Sequence, residues 1–162
     1  MTKNKIRVRM ADLKVGNKDD IIITSGLGSC VGLTLYDNKS QIGGMAHIML
    51  PECPSNRKQG KPEKYADTAI EILIDKLQKK GANTRGLEAK MAGGAQMFNF
   101  SNSNDRIRIG DRNIEAVEKI LRSKNIPIIG AEVRENYGRT MELYNDTGKV
   151  IIKTVKHDNI VL

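Results

Sequence analysis

Apolar residues along this chain fall into two spacings, and each spacing predicts a kind of element. Ala66, Ile70, Leu73 and Leu77 recur at helical intervals with Lys, Glu and Asp between them, which sets them on one face of an α-helix. Pro62 suits the start of that helix, because its missing N–H would have had no partner there, and Gly81 suits a left-handed end. Ile114, Val117, Ile120 and Leu121 mark a second helix, with Asp111 placed to cap its start and Asn125 to take the left-handed closing position. The remaining apolar runs are short and rich in Val, Ile, Leu and Thr. They predict strands at 5–10, 21–24, 31–36, 41–50, 87–92, 126–133, 139–144 and 149–155. Asp37-Asn38-Lys39-Ser40 and Asn145-Asp146-Thr147-Gly148 read as hairpin turns. The stretch 51–62, rich in Pro, Ser, Asn, Gly and Lys, reads as a surface loop within the domain.

Eight strands joined mostly by short turns, with only two helices, imply an α+β fold. The expected core is a largely antiparallel or mixed sheet system with helices laid on its faces, not a doubly wound parallel sheet. A length of 162 residues fits one domain spanning 1–162, large enough to bury a core without disulfide or metal staples. Hydrophobic residues at 39% and charged residues at 28% exclude global disorder.

Lys and Arg number 27 against 19 Asp and Glu, giving +8 and favouring an acidic partner. A nucleic-acid platform is poorly supported, because the basic residues are dispersed and no aromatic–basic stripe accompanies them. The basic start MTKNKIRVRM lacks the apolar segment of an export signal, and no apolar run is long enough to cross a bilayer. The expectation is a cytoplasmic protein with no membrane insertion, its two cysteines reduced. Two cysteines and two histidines without CxxC or HExxH spacing argue against a metal site, and no cofactor is implied.

The chemistry concentrates in Thr24-Ser25-Gly26-Leu27-Gly28-Ser29-Cys30. Glycines here allow a bend that exposes the Cys30 thiol and aims the main-chain N–H groups of Gly28, Ser29 and Cys30 into one small space. An acyl-transfer nucleophile needs such an anion-stabilising nest. The same pattern would also fit a tight turn followed by a buried, inert cysteine. His47 lies in the apolar segment Gly43-Gly44-Met45-Ala46-His47-Ile48-Met49-Leu50-Pro51. A hairpin turning at Asp37–Ser40 folds this segment back on 31–36, which brings residues 30 and 47 to the same end of adjacent strands. The imidazole could then favour the thiolate as an ion pair and later return a proton to a leaving amine. A third group usually holds such an imidazole in its useful tautomer, and Thr24, Ser25 and Ser29 are all candidates by position. Cys53, in the polar loop, and His157, near the C-terminus, are read as incidental. A papain-like protease is disfavoured, since a Cys30-to-His47 separation of 17 positions is too short for that layout.

The blocks T-S-G-L-G-S-C-V, G-G-M-A-H-I-M-L-P, K-Y-A-D-T-A-I, L-E-A-K-M-A-G-G-A-Q-M-F and G-D-R-N-I-E-A-V resemble, in order and spacing, the CheD family of chemoreceptor glutamine deamidases. The resemblance implies Cys30 as nucleophile, His47 as base and acid, and Thr24 as the third catalytic residue. It assigns no role to Tyr137-Gly138-Arg139, which matches the family less closely, or to Cys53. It implies a fold like the catalytic domain of the cytotoxic necrotizing factor toxins, two packed β-sheets with helices on the outer faces in an α/β/β/α sandwich. It further implies conversion of glutamines to glutamates on the acidic cytoplasmic helices of methyl-accepting chemotaxis receptors, with receptor glutamyl methyl ester hydrolysis as a possible companion activity. The alternative it carries is a regulatory module that binds and stimulates the CheC-type CheY-phosphate phosphatase, with little deamidation of its own.

Overall fold

The structure is a computed structural model and describes residues 3–54, 60–97 and 108–162. The chain forms β1 (Asn4–Arg7), β2 (Leu13–Gly16), β3 (Asp20–Leu27), β4 (Val31–Asp37), β5 (Ile42–Ile48), α1 (Ala66–Lys80), β6 (Leu87–Gly93), α2 (Ile109–Ser123), β7 (Ile128–Val133), β8 (Arg139–Tyr144), β9 (Lys149–Lys153) and β10 (Ile160–Val161). The strands make two mixed sheets, ordered β1-β3-β8-β9-β10 and β2-β5-β4-β6-β7. β1 runs parallel to β3 and β7 parallel to β6; the other pairs are antiparallel. The expected α+β sandwich of two mixed sheets with external helices is therefore the observed fold class.

Two apolar layers hold it together. Leu33, Leu35, Ala46 and Ile48 point from the second sheet toward Ile70, Leu73 and Leu77 of α1 and Ile114, Val117 and Leu121 of α2. The alternate residues of the same strands, Tyr36 and Met45 among them, point to the opposite face. There they meet Ile22, Met141, Leu143 and Val150 of the first sheet. Both helices cover the second sheet, so the layer order is α/β/β and not the α/β/β/α that the resemblance implied. The outer face of the first sheet, which carries Ile21 and Ile23 beside Tyr144 and Glu142, has no helix among the described residues. Glu142 pairs with Lys153 at 3.3 Å and accepts from the Tyr144 hydroxyl at 3.0 Å.

Local signals account for most boundaries. Pro62 starts a single 3₁₀ turn, and α1 follows one residue after it, ending at Gly81 with φ 117°. Asn125 takes φ 57° past the end of α2, as its left-handed tolerance predicts. Asp111 is not the cap of α2. The helix begins two residues earlier, and the Asp111 carboxylate faces Arg134 at 3.2 Å instead. At the first hairpin, Asp37 accepts from the Ser40 hydroxyl at 2.6 Å and from the Asn83 N–H at 2.9 Å, tying the turn to the segment before β6. β2 and β10 escape the sequence reading because each is very short. The strand expected over 5–10 stops at Arg7, and Ala11 turns the chain with φ 58°. Of the loop 51–62, residues 55–59 lie outside the described residues.

Leu73 is fully buried between α1 and the second sheet, against Gly44. Its replacement by Ala is expected to cost about 2–5 kcal/mol of stability, read as a lowered urea midpoint at unchanged m-value.

Candidate active site

Four of the sequence-predicted residues, Thr24, Gly28, Ser29 and Cys30, lie within one stretch of chain that passes from the first sheet to the second. Thr24 sits in β3, the bend 28–30 crosses between sheets, and Cys30 stands immediately before β4. β4 and β5 pair with Val31 opposite Ile48 and Gly32 opposite His47. Cys30 and Gly32 are two apart, so they share a face. His47 therefore lies on the same face as Cys30, one diagonal step away. That face is the one turned toward the first sheet, where Thr24 pairs with Met141 on the inward side. The hairpin geometry expected from spacing is thus present.

His47 is held across the sandwich. Its Nδ1 lies 2.7 Å from the Thr24 hydroxyl oxygen, and that hydroxyl lies 2.8 Å from the Val8 carbonyl. A hydroxyl has one hydrogen, and a carbonyl can only accept it, so Thr24 donates to Val8 and must accept from Nδ1–H. The imidazole is fixed as the Nδ1–H tautomer, with its lone pair on Nε2. Nε2 is buried and has no hydrogen-bond partner, so Cys30 and His47 are not hydrogen-bonded to each other in this structure. Thr24, and not Ser25 or Ser29, is the hydrogen-bond partner of the ring.

Burial sets the charge states. Cys30 retains 7% exposure, and desolvation raises its thiol pKa, an effect opposed by the hydrogen bond from its own main-chain N–H. His47 retains 1% exposure, and desolvation lowers its pKa to about 4. Both shifts favour the uncharged thiol and the uncharged imidazole. Burial of both groups therefore works against the ion pair expected from sequence.

The bend that precedes Cys30 uses its glycines unequally. Gly26, exposed, takes φ 73°, inside a register shift of the β3–β8 ladder. Gly28 does not add its N–H to an anion nest, because that N–H is donated to the Gly26 carbonyl at 3.0 Å. The N–H groups of Ser29 and Cys30 have no backbone acceptor among the described residues. A glycine that the sequence reading passed over matters as much. Gly93, at φ 101°, lies so close that a side chain there would meet the Cys30 carbonyl at 2.2 Å.

Asn113 is the residue the sequence analysis missed. It is fully buried on α2, and its Nδ2 donates to the Ser29 carbonyl at 3.0 Å and the Met49 carbonyl at 2.9 Å. Its only signal in sequence is a polar side chain one turn before Val117, on the apolar stripe of the helix. Cys53 and His157 stand apart from this site. Cys53 donates its main-chain N–H to Asp67 at 3.0 Å, and His157 stacks on Tyr137 at 4.6 Å between ring centres. Arg139, to which the sequence assigned no role, is buried against Glu132 and lies 4.5 Å from the Tyr137 ring centre. A cleft of about 660 Å³ opens beside Gly26 and is lined by Tyr137, Arg139, Lys153, Lys156 and His157. Among the described residues no group of three or more His, Cys, Asp or Glu could hold a metal ion, and no helix is long and apolar enough to cross a membrane.

A thiol and a neutral imidazole of fixed tautomer share one face beside the N–H groups of Ser29 and Cys30, which have no backbone acceptor among the described residues; such a set can support cysteine-dependent acyl transfer. Comparison with known proteins identifies the family. The family described as CheD, chemotactic sensory transduction, matches residues 49–154. The chain is 50% identical over 151 residues to the chemoreceptor glutamine deamidase CheD of Halalkalibacterium halodurans, covering 93% of each. It is 49% identical over 155 residues to a probable chemoreceptor glutamine deamidase CheD of Clostridium botulinum strain Hall, covering 96% of each. The chain belongs to the CheD family. The stretch from Thr24 to His47 precedes the family match and falls within the span shared with both relatives.

The lowered His47 pKa gives a stability test. Between pH 6.5 and about 4 an unfolded chain protonates this imidazole while the folded one does not, so stability is complete above that window and falls as pH drops through it. His47→Gln is expected to flatten the fall, measured as urea midpoints across pH 4–7. Equal slopes in the two proteins would show that folded His47 titrates normally.

Proposed function

We propose that this protein is a chemoreceptor glutamine deamidase that hydrolyses the side-chain amide of receptor glutamines, with Cys30 as nucleophile, His47 as base and acid, and Thr24 as the group that orients the ring. The observation that carries this reading is the unpartnered Nε2 of His47, its tautomer set by Thr24, on the face that also carries Cys30. Family membership and the names of the relatives supply the substrate class.

The neutral resting pair defines the order of proton movements. As the Cys30 sulfur bonds to the amide carbon, its proton passes to Nε2, and the carbonyl electrons move onto oxygen. The N–H groups of Ser29 and Cys30, which no backbone carbonyl engages, receive that oxyanion, where one such donor lowers the barrier by about 3 kcal/mol. The C–N bond then breaks, the Nε2 proton leaves with ammonia, and a γ-glutamyl thioester remains. Water attacks the thioester and gives a proton to Nε2. Breakage of the C–S bond releases glutamate, and the proton returns to sulfur. Thr24 acts throughout by accepting from Nδ1–H, which keeps the lone pair on the reacting nitrogen and supports the transient imidazolium.

The same thiol would open glutamyl methyl esters through the same thioester. A CheC-type phosphatase seated over the Cys30 face would compete with receptor. The net charge of +8 favours capture of acidic receptor helices, with association slowing as salt rises.

Cys30→Ala is expected to abolish ammonia release and the mass gain of amide to acid in receptor fragments, followed by mass spectrometry; residual turnover near the wild-type rate would refute the scheme. Thr24→Val should lower kcat about 100-fold with little change in KM, while Thr24→Ser retains most activity. The acid limb of kcat/KM should fall near pH 4, where His47 takes up a proton, and a limb near 6.5 would count against the neutral pair.

A further inference from the structure

Three consecutive carbonyls of the bend before β4 are each held by a donor. The Gly28 carbonyl accepts from the Ala95 N–H at 2.8 Å, and the Cys30 carbonyl accepts from the Gly94 N–H at 2.9 Å. The middle one, on Ser29, is held by a side chain from a different element, Asn113 of α2, at 3.0 Å. A trans peptide is planar, and its C=O and N–H point in opposite directions. Fixing the Gly28 carbonyl therefore aims the Ser29 N–H, and fixing the Ser29 carbonyl aims the Cys30 N–H. These two N–H groups are the ones without a backbone acceptor. The main chain orients one; Asn113 orients the other.

The second hydrogen of the same NH₂ group is donated to the Met49 carbonyl at 2.9 Å, two residues beyond His47 on the same chain segment. Both partners are carbonyls, so the nitrogen, not the oxygen, of the amide must face them. Asn113 Oδ1 is buried without a partner. An unpaired buried acceptor lowers stability, so a polar side chain on this apolar helix face serves poorly as packing.

We infer that Asn113 is a positioning residue for the reaction: its amide ties the peptide that precedes Cys30 to the segment that carries His47, and so aims the Cys30 N–H at the substrate oxyanion. This rests on the deamidase reading for its catalytic consequence, but the state of the thiol can be read without turnover. The Cys30 N–H also hydrogen-bonds its own sulfur and thereby favours the thiolate, so freeing that peptide should raise the thiol pKa.

The test compares Asn113→Ala with Val117→Ala, one turn further along the same buried face of α2, both in a Cys53→Ser background. Asn113→Ala should lower kcat for receptor-fragment deamidation by about 100-fold, the range for loss of one oxyanion donor, with KM within threefold. It should also move the pH profile of Cys30 alkylation by iodoacetamide to higher pH. Val117→Ala should lower Tm comparably and leave both readouts near wild type. An unmoved alkylation profile with kcat within threefold of wild type overturns the inference, as does an equal loss in Val117→Ala. If Asn113→Ala does not fold, Asn113→Ser, which can satisfy only one of the two carbonyls, is measured by the same alkylation profile and judged by the same outcomes. A wild-type protein without deamidase activity would refute the functional reading, while the alkylation comparison would still decide the role of Asn113.

Discussion

The hydrogen bond from His47 Nδ1–H to Thr24 crosses from one sheet of the sandwich to the other. It is the one polar link on which the rest of the site depends. Thr24 has a single hydrogen and gives it to Val8, so its oxygen can only accept, and the ring has one tautomer available. The surrounding layer is apolar, with Leu27, Met45, Met141 and Ile152 buried about it. In that setting an unmade hydrogen bond would be expensive and a charged ring more so. Orientation and neutrality of the imidazole thus have a common origin in the packing of two sheets.

Neutrality changes how the thiol must be used. A pre-formed thiolate would need a stabilised imidazolium, and neither the burial of His47 nor that of Cys30 favours it. On the proposed reading, charge appears only while the substrate is reacting, and the groups that meet it are main-chain dipoles already in place. The bend is suited to this. Its carbonyls are all engaged by donors from the 94–95 segment and α2, and Gly93 allows the strand end to approach the Cys30 carbonyl with no intervening side chain. Such preorganisation lowers the reorganisation needed as charge develops.

Much of the sandwich was legible in the sequence, because the strands that build its core are long enough to show a pattern and end in turn chemistry. Asp37–Ser40 fixed the β4–β5 register closely enough to place His47 beside Cys30. The helix termini at Pro62, Gly81 and Asn125 were legible because each rests on one residue's backbone preference. What stayed hidden depends on contacts between distant segments. β2 exists because β5 offers it an edge, and both helices gather on one sheet through apolar contacts between segments far apart in sequence. Thr24 could be singled out from Ser25 and Ser29 only by family resemblance. Spacing could not show that Gly28 turns its N–H back on Gly26, nor that Asn113 reaches the bend from α2.

The passage of the chain from β3 to β4 is also the corner at which it leaves one sheet for the other. A partly formed molecule in which the β4–β5 hairpin has closed already carries the sulfur and the ring on a common surface. Until β3 docks against it, nothing stops the ring from turning over and presenting the wrong nitrogen. On the proposed reading, chains in which β3 has not docked are chemically silent toward bystander amides, and competence arrives only when the two sheets meet.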